Sequence, residues 1–278
     1  ELMQNEFNIK IHDIEVFRSV VFPDFIAFYK EELKGYKLTE DDYQIVDEIT
    51  GKKMVWIQKD KVKDFWIKGM SPAEYIGEAI KYIAVREVSD IMDYNDINKY
   101  VEKVIETNSF LVDNIIPDFI TASDLKYLLT CLIREQVSVK NIVYIFEKIN
   151  DYANEPTKEG LLDKVRLALS KHIIKDLAEN NELKVIEFSD ETLDKIYSFF
   201  KEDEDEAIVR IEANDVQDIV DRIGKFAKSK KIENPVLVVP MDIRHMVFVI
   251  LAEFVRNITV LAHEELVSDY NIKFVGKV

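Results

Sequence analysis

Residues 117–153 read PDFITASDLKYLLTCLIREQVSVKNIVYIFEKINDYA, and two helices are written into them. Leu125, Leu128, Leu129 and Leu132 recur at steps of three and four residues, which lines one face of an α-helix, and Thr121 stands where its hydroxyl can cap the first turn. A second helix is expected from Ser138 onward, with Ile142, Ile145, Phe146 and Ile149 on one face. The same periodicity extends outward to residues 95–107 and 109–116 on one side and to 158–181 on the other. The connections are short, so 95–181 reads as a module of helix hairpins.

Downstream the rhythm changes to strand and helix in alternation. LKVIEF at 183–188, a short run at 207–211, PVLVVP at 235–240, residues 259–262 and residues 272–278 read as strands. Helices are expected over 190–200, 213–228 and 241–257. The near-continuous apolar run at 235–240 is typical of a buried central strand, and the alternation predicts an α/β layer on a largely parallel sheet. KEDEDE at 201–206 reads as a solvated loop.

Upstream the chain is mixed. FNIKIH at 7–12 alternates apolar and polar side chains as a half-buried strand does, and 15–22 repeats the pattern more loosely before VFPD ends the pair. Residues 47–57 (DEITGKKMVWI) read as a turn into a short strand. Ser71, Pro72 and Glu74 then form a capping box with proline at the first helical position, opening a long helix whose stripe is Ile76, Ile80, Ile83 and Val88. The fold class expected is mixed α/β in several subdomains: a small α/β N-terminal part with an insert, a helical middle module and a C-terminal α/β layer.

Composition removes several functions. Among 278 residues, 37 Lys and Arg face 53 Asp and Glu, a formal charge of −16. A broad basic face for nucleic acid is therefore not expected, because each phosphate contact needs a cation to displace counterions. Glycine occurs 7 times, where ordinary usage would give roughly 19, and no two glycines are spaced for a phosphate-cradling loop. The lone Cys131 excludes an internal disulfide and a cysteine zinc cluster and points to a reducing compartment. No apolar run is long enough to span a bilayer, and Glu1 in place of a methionine leads us to expect a longer parent protein.

Little in the residues calls for catalysis. His12, His172, His245 and His263 form no metal-spaced pair, and the cluster at 263–265 reads as charge at a helix start. Cys131 sits in an apolar helix stripe and reads as an inert thiol. Trp56 and Trp66 read first as core aromatics, with a peptide-docking groove as the sharper alternative. No catalytic, cofactor or metal residue is expected. Binding is the reading favoured by the residues, and a soluble α/β enzyme with an unrecognised site is the alternative.

The segment 117–153 closely resembles the central signature of the FHIPEP family, the export-gate proteins of flagellar and virulence type III secretion systems. The resemblance rests on Leu128-Leu129, Leu132-Ile133-Arg134-Glu135, Val137-Ser138-Val139 and the closing Asp151-Tyr152-Ala153. It extends to 15–24, where Glu15-Val16-Phe17 and Val21-Phe22-Pro23-Asp24 are similar to the family's strand pair. The turn at 47–57 with Gly51 and Trp56, the helix LLDKVRLALSKHII at 161–174 and PVLVVPMDIR at 235–244 add to it.

The resemblance implies the cytosolic half of an inner-membrane protein, in four subdomains. These would be 1–24 with 67–88 (incomplete at its N-terminus), an inserted 25–66, a helical and ring-forming 89–172, and an α/β 173–278. It implies a homo-oligomeric ring, commonly of nine copies, at the cytoplasmic face of the bacterial inner membrane. Its partners would be chaperone–effector complexes, a gatekeeper protein and other components of the export apparatus, with no nucleic acid. In flagellar members a docking dimple uses an Asp, an aromatic three residues on, and a Thr on the next helix. The matching positions look like Asp47, Thr50 and Glu78, which keep only the Asp, and this departure favours the virulence type. Docking is thus expected at Asp47, Thr50, Trp56, Trp66 and Glu78. Arg134, Glu135 and Lys140 are expected as polar rim residues of the ring contact.

Overall fold

The alternation at 7–12 becomes β1 (Glu6–Ile11), which pairs antiparallel with β2 (Ile14–Val20). The turn between them passes through His12 and Asp13 at positive φ, 48° and 65°, a conformation that short polar side chains tolerate better than most. The computed structural model describes residues 2–63, 65–203, 206–209, 213–255 and 257–278, and over 200–213 the backbone alone. The chain divides into two compact units, Glu1–Asp93 and Tyr94–Val278.

In the first unit, β3 (Phe25–Tyr29), β4 (Tyr43–Val46) and β5 (Lys53–Gln58) form an antiparallel sheet in the order β3-β5-β4. Of these three, the sequence pattern predicts only β5. β5 is central, and Met54, Val55, Trp56 and Ile57 are fully buried because both faces of the strand are covered. One face packs with Ala27 and Tyr75, the other with Phe28. A Cβ at Gly69 would collide with Ile26 and Phe28, so only glycine lets the returning chain approach β3 and bridge through Met70 to Ala27. Ser71 caps α1 (Pro72–Arg86) in the expected capping box with Glu74. Its buried stripe is Tyr75, Ala79 and Ile83, with Ala79 and Ile83 against Phe17 of β2. Of the expected stripe only Ile83 lies on it, since Ile76 is half-buried, Ile80 is 54% exposed and Val88 falls beyond the helix end at Arg86. A single turn, α2 (Val88–Ile91), follows.

The second unit begins with α3 (Tyr94–Asn108) and the single turn α4 (Phe110–Asp113). Helix α5 (Ala122–Arg134) is capped by Thr121 with Asp124 closing the box. Helix α6 (Ile142–Asp151) is capped by Asn141, not Ser138, because Gln136 turns the chain at φ 59° and the helix resumes only afterwards. Helix α7 (Lys158–Leu177) stops earlier than expected, where Ala178 goes extended and Asn180 and Asn181 take positive φ. It runs unbroken through residue 172, where a subdomain joint was expected.

The α/β part has β6 (Glu182–Glu187), α8 (Asp190–Ser198), β7 (Phe200–Asp203), β8 (Glu206–Val209) and α9 (Ala213–Lys230). β9 (Val236–Val239), α10 (Met241–Ala252), β10 (Thr259–Ala262) and β11 (Asn271–Lys277) complete it. Strands β10-β9-β6-β11 form one sheet in that order, each pair parallel. The run at 235–240 is indeed an inner strand, buried at all four positions of β9. Its core joins Phe188, Ile223, Val247 and Leu251 from the flanking segments. The acidic run at 201–206 is not simply a loop: Lys201–Asp203 and Glu206 belong to an antiparallel pair, while 204–205 lie outside the described residues, as do 210 and 211 of the expected strand. Helix α10 ends at Ala252 rather than reaching 257.

Candidate functional site

In the first unit the expected docking residues separate by burial. Asp47 is fully buried. Its carboxylate accepts from the hydroxyls of Tyr75 at 2.9 Å and Tyr29 at 3.2 Å, from the N–H groups of Ile49 at 3.0 Å and Thr50 at 3.1 Å, and from the Thr50 hydroxyl. Those bonds close the turn 47–51, which Gly51 completes at φ 69°. Burial pushes the Tyr29 phenol up to about 12, so at neutral pH it is a donor to this carboxylate and not a competing anion. The direct docking role expected of Asp47 is therefore corrected: its oxygens are spent on the turn, on buried Tyr75 and on half-buried Tyr29. Trp56 is corrected likewise, because it lies in the core at edge-to-face distances from Phe22 and Tyr75 (5.6 and 5.9 Å between ring centres). Trp66, by contrast, is fully exposed, in the stretch before α1, and Glu78 is exposed on α1. Thr50 is half-buried.

In the second unit the end of α5 opens onto a buried set of charges. Glu135, expected at a polar rim, is buried. Its Oε2 lies 2.6 Å from Arg244 Nη1 and 2.6 Å from Arg166 Nη1, the latter pairing by charge but off the line of a hydrogen bond. Its Oε1 lies 3.0 Å from His245 Nδ1, and the other ring nitrogen lies 3.3 Å from the Tyr127 hydroxyl. Arg244 donates on to Asp163 Oδ1 at 2.9 and 2.8 Å, and Arg166 donates to Glu265 at 3.0 and 3.3 Å. Glu265 also accepts from the Ala262 N–H at 2.8 Å, so the cluster at 263–265 contributes a buried ion partner as well as charge at a helix start. Burial opposes ionisation of Glu135, yet Arg166, His245 and Arg244 outweigh it and hold its carboxyl at about 2. For Asp163 burial wins over Arg244, and the carboxyl is raised.

This network ties α5 and α7 of the helical module to α10 and the turn after β10. Sequence reasoning missed Arg166, Asp163, Arg244 and Glu265. One signal existed: Arg166 interrupts the apolar stripe Leu162, Val165, Leu169 and Ile173, where a charge is tolerated only when paired. Arg134 points elsewhere and pairs with Glu253 at 2.6 Å near the surface. Cys131 has its thiol pushed up to about 11, first by burial and then by Glu135, which leaves it a poor nucleophile.

Beside the end of α5 a cleft of about 250 Å³ opens between the turn at 136–138, the start of α6 and the last turns of α7. Its apolar wall includes Ile145, Leu169 and Ile173, and Lys140, the remaining expected rim residue, is exposed on its edge. Among the described residues no group of three or more His, Cys, Asp or Glu side chains is placed to hold a metal ion, and no helix is long and apolar enough to cross a membrane.

The family model described as "FHIPEP family" matches residues 1–271. The chain belongs to the FHIPEP family. Flagellar biosynthesis protein FlhA of Bacillus subtilis is 25% identical over 288 aligned positions, covering 100% of this chain and 42% of the relative. The chain thus spans less than half the length of that curated relative. The solved structure of the Shigella flexneri MxiA protein superposes with a TM-score of 0.80 at 17% identity, covering 100% of this chain and 86% of that one. The nonameric EPEC SctV-C gives 0.76 at 14% identity, covering 99% and 84%. At such identities the structural likeness speaks for the fold alone.

Proposed function

We propose that this FHIPEP chain is the cytoplasmic, ring-forming part of a type III secretion export gate, of the virulence rather than the flagellar type. In this role it docks chaperone–effector complexes and a gatekeeper protein and passes substrates to an inner-membrane channel, without making or breaking a covalent bond. The observation that carries the reading is the family match across residues 1–271. Support comes from the nonameric state named for EPEC SctV-C, a chain of the same fold. The division into four subdomains is part of the proposal, and the small sheet β3-β5-β4, inserted between β2 and α1, suits the second of them. Thr50 and Glu78, where flagellar members use an aromatic and a threonine, favour the virulence type. Docking falls to Thr50, Trp66 and Glu78, with Asp47 shaping the turn that carries Thr50.

The test is genetic. Deleting the gene in its own bacterium should stop export of secreted effectors, and the full-length gene should restore it while a copy lacking this chain should not. Effector export that continues in the deletion strain contradicts the proposal.

A further inference from the structure

We propose that the outer edge of β11 is a docking site for an extended, acidic segment of a partner protein, which joins the β10-β9-β6-β11 sheet as a further strand.

The backbone supplies the first half of the site. The sheet order ends at β11, so one side of this strand pairs with β6 and, among the described residues, no strand pairs with the other. Asn271 donates its N–H inward to the Asn181 carbonyl at 3.0 Å. Backbone groups alternate in direction along a strand of a parallel ladder, so Ile272 and Phe274 turn their N–H and C=O groups outward. The regular stretch ends at an irregularity between Phe274 and Gly276.

The side chains supply the second half. Lys273 stands directly opposite Lys184 of β6, and both are exposed. Like charges placed opposite one another destabilise a sheet, and neither lysine has an ion pair among the described residues. Lys184 lies two residues before Ile186, which packs in the core with Ile219 and Ile223 of α9, so the two lysines share the face that α9 covers. The last turns of α9 extend the positive field. Lys225, Lys228 and Lys230 are exposed there without an ion pair among the described residues. Lys230 Nζ lies 5.8 Å from the centre of the Phe226 ring, and that ring packs against Gly276 of β11. Glu182 is the one acid on this face of β6; it is half-buried and accepts from the Asn271 amide at 3.5 Å. A chain of net charge −16 thus gathers unpaired lysines around one strand edge. On the other face, Ile272 and Phe274 stand opposite buried Leu183 and Val185 and carry an apolar row to the edge, where Phe274 remains 50% exposed.

Charge and pleat together select the occupant. A strand added to an open edge takes main-chain hydrogen bonds and sends alternate side chains to the two faces. Carboxylates at one set of positions would lie beside Lys273 and within the field of Lys184, and apolar side chains at the other set would cover Ile272 and Phe274. An extended segment that alternates acidic and apolar residues meets all three demands. A nucleic acid or an anionic membrane offers no backbone ladder, and the net charge of the chain repels such large polyanions at long range.

The test is fluorescence anisotropy of the 278-residue chain with a labelled synthetic peptide of about 6 alternating glutamate and valine residues, an ordinary strand length. Saturable binding is expected, weakening as salt rises. Lys273→Glu and Phe274→Ala should each weaken it about tenfold or more. Lys273→Glu should do so without lowering the melting temperature, because it replaces a like-charge pair by an opposite one. Lys10→Glu, at an exposed position of the first unit, should have no effect. N-methylating the backbone of the peptide should abolish binding, and a purely ionic contact would survive it. Absence of saturable binding, equal binding of the N-methylated peptide, or parent affinity in the Lys273→Glu and Phe274→Ala variants overturns the docking edge and leaves the lysines as guards against edge-to-edge aggregation. None of these outcomes bears on the export-gate reading, which stands or falls separately.

Discussion

Glu135→Gln removes one charge and almost no volume, and its cost follows from the geometry around it. Glu135 Oε2 faces two guanidiniums at 2.6 Å, and its side chain and those of Arg166 and Arg244 are 2%, 1% and 1% exposed. An amide keeps one acceptor oxygen but turns an N–H₂ toward cations, leaving two buried arginines with Asp163 and Glu265 alone. Breaking a buried pair by removing one partner costs about 3–5 kcal/mol, because the remaining charge loses its compensation without regaining water. For a unit the size of residues 94–278, each kcal/mol moves the melting temperature by about 2–4 °C. The expected fall is therefore about 6–20 °C, read by calorimetry and by urea denaturation. The control is Arg134→Ala, whose pair with Glu253 is 32% and 59% exposed; surface pairs contribute about 0–1 kcal/mol. If Glu135→Gln melts within about 2 °C of the parent, or no lower than Arg134→Ala, the network does not hold α5, α7 and α10 together.

Three further outcomes are expected. Asp47→Ala should lose about 2–4 kcal/mol in urea denaturation, since two tyrosine hydroxyls and the 47–51 turn lose their acceptor; stability within 0.5 kcal/mol of the parent would return Asp47 to a surface role. Trp66→Ala should leave the melting temperature within about 1 °C yet weaken capture of chaperone–effector complexes about tenfold, and unchanged capture would remove Trp66 from the docking site. Stability should fall in acid: Glu135 drops from 4.5 unfolded to about 2 folded, so its contribution of about 3 kcal/mol is whole above pH 4.5 and is lost as the pH falls toward 2. Asp163, raised by burial, acts in the opposite sense and recovers part of the loss. A urea midpoint that is flat from pH 6 to pH 3 would contradict the assignment of Glu135.

What could be read from the residues follows the range of the interactions. Ser71 and Glu74, or Thr121 and its leucines, lie within one or two turns of each other, so both helices were legible from local spacing. The inner strand at 235–240 announced itself because burial on both faces demands an uninterrupted apolar run. β3 and β4 were not legible, because FIAFY and YQIV show no strict alternation and each is defined by pairing with β5. The charge network was hidden for the same reason: Arg166 and Glu265 are 99 positions apart, and Arg244 and Glu135 are 109 apart. A glutamate at the end of an amphipathic helix looks solvated until a second segment, far along the chain, covers it. Trp56 and Trp66 were indistinguishable by type, and only the fold put one in the core and the other in water.

The ring is the claim on which the functional account stands, and its symmetry can be counted. Electron cryomicroscopy of the full-length protein in membrane patches should show cytoplasmic densities with nine-fold rotational symmetry, into each ninth of which this chain fits as one copy. Single copies scattered without a symmetry axis, or closed assemblies whose repeating unit this fold does not fit, would contradict the account.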